Sequence, residues 1–191
     1  MSLTAQQLTT LKADILAKAQ PGGPFEPYLP TQQYGDVQNF YNALTNPAVS
    51  IWDPLASVTA IFNAVDRSKY TPADAADGTA LFTNRILAAQ TKLMSLDGML
   101  IGRSTLDATL ASIRTSLRDA VIALPTGAGG ASTNPGGTNG STVMNAIKRT
   151  GTVVEVLLSS GDATTGGVTC KVPTFWGELQ VQDIVDALAQ P

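Results

Sequence analysis

The chain has 191 residues, with twelve Lys and Arg against fifteen Asp and Glu, no histidine and a single cysteine. This length can bury one core without disulfides or metals, and a net charge of −3 with a pI near 4.8 argues against the basic patch that grips a nucleic-acid backbone. Charged residues make up 14% of the chain against about a quarter in an average domain, so the surface is thinly defended by charge and suits a chain partly covered by other subunits.

The elements follow in chain order. A helix opens at Thr4, with Gln7 at capping-box spacing and Leu8, Leu11 and Ile15 on one narrow stripe, and it ends at Pro21-Gly22-Gly23. So thin a stripe predicts docking on a neighbour rather than core. Three prolines in seven residues make "PFEPYLP" an extended arm. A short helix follows, capped by Asp36, with Val37, Phe40, Tyr41 and Leu44 inward and Asn46-Pro47 as its stop. "VSIW" is a short extended link. Asp53-Pro54 is the clearest helix start, with Leu55, Val58, Ile61, Phe62 and Val65 on the buried face.

Thr71-Pro72 starts a long helix to about Ser95, with core positions Phe82, Ile86, Leu93 and Met94; Asp97-Gly98 turns the chain. Ser104 and Asp107 have capping-box spacing before the strongest helix, whose stripe is Leu106, Leu110, Ile113, Leu117, Val121 and Leu124. After Pro125, residues 126–142 form a Gly/Ser/Thr/Asn-rich loop, and "TVMNAIKR" adds one or two helical turns. "GTVVEVLLSSGD" has β-branched residues that favour a strand. Thr152 and Glu155 at capping-box spacing and Gly161 as a stop favour a helix, the reading preferred here. "GGVTCKVPTF" alternates as a strand through Val168, Cys170 and Val172, and a final helix runs on Val181, Ile184, Val185 and Leu188. The expected architecture is mainly α: a helical bundle with a small C-terminal α+β appendage and extended arms. Its segments are a docking helix and arm (1–35), a helical core (36–125), the Gly-rich loop (126–142) and the α+β segment (143–191).

Reaction chemistry is sparse. Without histidine there is no Ser-His-Asp or Cys-His pair and no imidazole metal ligand. One cysteine cannot build a structural zinc site or an intrachain disulfide, which fits synthesis in a reducing compartment. Cys170 reads as a small buried hydrophobe. Asp74 with Asp77, and Asp183 with Asp186, are each spaced to share a helix face and could in principle hold a cation. Neither has the ligand density of a calcium loop; the first pair reads as helix-start charge and the second as a solvated face. The loop at 126–142 lacks the lysine and the strand–helix setting of a phosphate loop. No catalytic, cofactor-binding or metal residues are expected, and no cofactor. Trp52 and Trp176 read first as core and second as interface anchors. The N-terminus lacks the pattern of a secretory signal, and no run approaches a membrane span.

Four stretches, "LTAQQLTTLKADILA", "FYNALTNPAVSIW", "GAGGAST" leading to "AIKR", and "FWGELQVQDIVDAL", together resemble a family of virion proteins of tailed bacteriophages and prophages. The match covers both ends and the middle. Thr150-Gly151 stand where members usually have proline, and "NPGGTNGS" reads as an insertion. The resemblance implies a structural, non-enzymatic head–tail connector of the neck or adaptor type: a homo-oligomeric ring below the portal protein, touching the next neck or tail protein. It further implies residence in the virion after assembly in the bacterial cytoplasm, with neither specific nucleic-acid binding nor a membrane. Another virion role, capsid-bound or at the tail end, and a soluble helical binding module are the alternatives.

Overall fold

The computed structural model describes residues 3–70, 80–122 and 138–191. The chain divides into two compact units. Met1–Ile51, Arg149–Asp162 and Cys170–Pro191 form the first; Trp52–Lys148 and Ala163–Thr169 form the second.

The first unit is built on four helices: α1 (Ala5–Lys18), α2 (Tyr34–Asn42), α7 (Val153–Leu157) and α8 (Val181–Leu188). The α1 start is the expected capping box, Gln7 N–H donating to Thr4 Oγ1 and Thr4 N–H donating to Gln7 Oε1, which satisfies two orphan donors of the first turn. Both α1 and α2 pack on α7 and α8. Their common core holds Leu11, Ile15, Val37, Tyr41, Val154 and Ile184. Burial of each such aliphatic side chain is worth about 1.5–3 kcal/mol. Between α1 and α2 the chain folds through successive turns, with Tyr28 and Leu29 N–H both donating to Phe25 O. Phe25 is buried, edge-on to Phe40 at 5.0 Å between ring centres.

Strands β1 (Ser50–Trp52), β4 (Lys148–Thr150), β5 (Ser159–Thr165) and β6 (Val168–Pro173) form a mixed sheet in the order β4-β1-β6-β5. β1 runs parallel to β6, with Ile51 opposite Lys171. β5 and β6 make a hairpin around Gly166-Gly167. These residues have φ of +57° and +78°, the backbone that a two-residue hairpin turn demands and glycine supplies. Gly151 meets a different constraint. A Cβ there would lie 2.7 Å from Ile51 Cγ2, and its N–H donates to Val49 O while its own carbonyl accepts from Thr45.

The second unit contains β2 (Ala56–Ser57), α3 (Val58–Ala64), a 3-10 turn at Arg67–Tyr70, α4 (Ala80–Leu100), β3 (Thr105–Leu106), α5 (Ala111–Val121) and α6 (Thr138–Ala146). α5 packs on α4 and α6, and α3 packs on α6. β2 and β3 form a short antiparallel ladder pairing Ala56 with Leu106 and Ser57 with Thr105.

Several expectations are corrected. The fold is mixed α/β, with a four-stranded and a two-stranded sheet beside the helices, and not mainly a helical bundle. Short polar segments such as Ser159–Thr165 join the ladder through backbone hydrogen bonds, which no apolar pattern announces. The α1 stripe is buried within its own chain, with Leu11 and Ile15 fully covered; few residues suffice because α7 and α8 meet it from two sides. The proline-rich arm is folded turns, not extended. Ser57, not Asp53, caps α3, because Pro54 and Leu55 lie in a turn before β2. Asp36 sits inside α2 rather than at its cap, and Asp97-Gly98 lies inside α4. α5 begins at Ala111, since Thr105 and Leu106 are drawn into β3. That register leaves Leu110 51% exposed and buries Arg114, Leu117, Ala120 and Val121. Helix α6 begins at Thr138, within the expected loop; the rest of that loop, like Leu124, Asp74 and Asp77, lies outside the described residues. "GTVVEVLL" does form a capped helix, but Gly161 belongs to β5 and does not stop it.

Candidate interaction surface

The buried polar groups are chemistry committed to the fold. Glu155 at the start of α7 is buried. Its carboxylate accepts two hydrogen bonds from Arg149, Nη1 to Oε2 at 2.8 Å and Nη2 to Oε1 at 2.6 Å, and a third from Thr152 N–H at 3.0 Å. Burial alone pushes this carboxyl up; the Arg149 guanidinium and the Thr152 N–H outweigh it and hold the group below its usual range. Tyr41 donates to Asp14 Oδ2 at 2.5 Å, and Lys18 donates to the same carboxylate. Burial, and then the adjacent Asp14 charge, raise the phenol far above its ordinary value, so it remains a donor.

In the second unit Arg114 is buried. Its guanidinium lies 5.1 Å from the Trp52 ring centre, and Nη1 donates to Ala108 O at 2.7 Å and Thr109 O at 2.6 Å. The indole Nε1 donates to Ala163 O at 3.1 Å. Tyr70 donates to Ala120 O at 3.0 Å, and burial pushes its phenol up to about 12. These side chains brace the interior; their donors and acceptors face one another.

A groove of about 520 Å³ in the first unit is lined by the first turns of α1, by Ser159 and Ser160 of β5 and by Thr174. Its size suits a small ligand. Its polar groups, however, serve as a joint: Gln7 Nε2 donates to Thr174 O and Oγ1, and Thr174 Oγ1 donates to Leu158 O.

The residues singled out from the sequence take structural places. Cys170 is buried in β6. Asp183, in the first turn of α8, accepts from the N–H of the cap residue Gln180, and Asp186 accepts from Gln182 Nε2. Among the described residues no group of three or more Cys, Asp or Glu could hold a metal ion. Trp52 is fully buried, in line with its first reading as a core residue, while Trp176 is half-buried. Among the described residues no helix is long and apolar enough to cross a membrane.

What remains for function is the surface. Met94 on α4 is 74% exposed, and Ile101, the first residue past its end, is 71% exposed. They are seven residues apart, hence on one helical face, and the Ile101 N–H still donates to Asp97 O. Between them Gly98 is exposed, and a Cβ there would meet nothing within 4 Å. The face is an apolar dent with two large side chains at its rims. On α8, Val181 and Val185 are 42% and 36% exposed, one turn apart, beside the polar pair Gln182 and Asp186. Met94 was read as core, and Val181 and Val185 as apolar positions of the last helix; their exposure is a property that residue type does not carry.

The chain matches no protein-family model, and no curated protein or solved structure is significantly similar to it.

Proposed function

We propose that this protein is a structural component of a tailed-bacteriophage particle, a head–tail connector whose copies form a ring below the portal and that runs no reaction. The carrying observation is how the stretches behind the resemblance fold. "LTAQQLTTLKADILA" is α1, "FYNALTNPAVSIW" spans α2 to β1, and "FWGELQVQDIVDAL" leads into α8. They lie far apart in sequence, yet α1 and α2 both pack on α8. Gln38 and Asn42 of α2 donate to Leu179 O, and Asn42 Oδ1 accepts from Leu179 N–H. Three of the four motifs meet in one packed unit, which supports a shared fold better than scattered matches would. Two further facts favour an assembly role: the chain has no histidine and little charge, and it exposes apolar helix faces.

The test is localisation. Particles purified from an induced lysogen should contain this product in several copies by quantitative mass spectrometry, and gold-labelled antibody should mark the neck. A product absent from particles and recovered free in the host cell would overturn the proposal; label on the capsid shell or at the tail end would overturn the neck assignment.

A further inference from the structure

The charges of the chain are unevenly divided. The first unit carries four Lys and Arg against eight Asp and Glu, a net −4, and the second carries eight against seven, a net +1; together they give the −3 of the whole chain. Each unit also exposes one of the apolar helix faces described above. On the first, Val181 and Val185 stand on α8 beside Asp186, with exposed Glu178 just before the helix. On the second, the Met94–Gly98–Ile101 face at the C-terminal end of α4 carries Asp97, whose charge is met by Arg67, and is followed by exposed Arg103.

From this complementarity we infer that copies of the chain associate head to tail, the α8 face of one copy seating on the α4 face of the next. The inference rests on the reading of the protein as an assembling subunit and names the surfaces used. A glycine between two large rim residues is a hole, and a valine pair one turn apart on a second helix supplies the knob, the ridge-into-groove fit of packed helices. The acidic surround of the valines meets Arg103 just past the end of α4, which steers the encounter, and like charge disfavours α8-to-α8 contact. Because the two faces differ, the contact is heterologous: each copy uses both, so association continues past a dimer, into a ring where the rotation between neighbours closes and into an open filament where it does not. An α4-to-α4 contact, by contrast, would stop at a dimer.

The experiment mixes two single variants of the full chain. Met94→Asp breaks the α4 face and Val185→Asp breaks the α8 face. Gly98→Leu, which fills the dent of a face open to solvent, and Val181→Ser with Val185→Ser serve as second variants if either aspartate substitution disturbs the circular dichroism spectrum. By analytical ultracentrifugation the unmodified protein should associate with rising concentration, and less so at high salt. Each variant alone should stay monomeric, its association weakened at least about tenfold by a charge placed in an apolar contact. Mixed in equal amounts, they should form a dimer and nothing larger, because one copy keeps an intact α8 face and the other an intact α4 face. Unmodified protein that stays monomeric at every concentration, variants that associate like it, or a mixture that remains monomeric would each overturn the inference. Loss of association with Met94→Asp but not with Val185→Asp would replace it with an α4-to-α4 dimer. All these outcomes are read in solution, so a failure here leaves the particle localisation to stand or fall by itself.

Discussion

In the first unit a buried carboxylate, Glu155, is held between the Arg149 guanidinium and the Thr152 N–H. In the second a buried guanidinium, Arg114, lies over Trp52 and donates to the carbonyl oxygens of Ala108 and Thr109. The first arrangement joins an ion pair to a helix cap; the second brings a cation to a ring face and to backbone dipoles. A carboxylate in the first core can be titrated away by acid, whereas a guanidinium keeps its charge at any pH a protein survives. The surfaces differ in a parallel way. The first unit is acidic and offers valines of modest exposure; the second is close to neutral and leaves Met94 and Ile101 largely bare.

The largest expected effect is at the centre of the second unit. Trp52→Ala should cost about 3–5 kcal/mol in urea denaturation, since it empties a fully buried site and strips the ring from Arg114. A change below about 1 kcal/mol would mean that this core is not organised around the indole. In the first unit Leu11→Ala should cost about 2–5 kcal/mol, whereas Leu110→Ala, on a half-exposed side chain of the second unit, should stay within about 0.5 kcal/mol. Equal effects for the two leucines would undo the assignment of α5's register. Smaller again is the cap of α7. Thr152→Ala should cost about 1 kcal/mol by the same measurement and leave the β5–β6 hairpin in place.

The smallest effect at neutral pH is that of Glu155, which shows only on acidification. Glu155 has a lowered pKa in the folded state, so its contribution is full above the ordinary carboxyl range and is lost as pH falls through the lowered value. Glu155→Gln should therefore flatten the fall in melting temperature on acidification. An unchanged acid limb would show that other carboxylates carry it.

Local chemistry was legible in the sequence. The capping boxes at Thr4/Gln7 and Thr152/Glu155 are both formed, since a cap depends on a few adjacent residues. The β6 strand was legible from its alternation, and buried Cys170 from its residue type. β5 was not: Ser-Ser-Gly-Asp-Ala-Thr-Thr carries no apolar alternation, and only Gly166-Gly167 ahead of Val168 marked a hairpin turn. α4 misled for the opposite reason. Leu93, Met94, Leu96, Met99, Leu100 and Ile101 surround the helix, so periodicity alone could not say that Leu96 and Leu100 face inward while Met94 and Ile101 face out. The candidate surface was hidden with it, because a residue apolar for binding and one apolar for packing read alike.

Hydrogen–deuterium exchange of the full chain, dilute and concentrated, tests the pairing of unlike faces most directly. Peptides covering Met94–Ile101 and Val181–Leu188 should both slow their exchange as the chain associates, while peptides from the buried core around Leu11 and Ile15 should not change. Association that slows exchange in only one of these two peptides, or in neither, would contradict it.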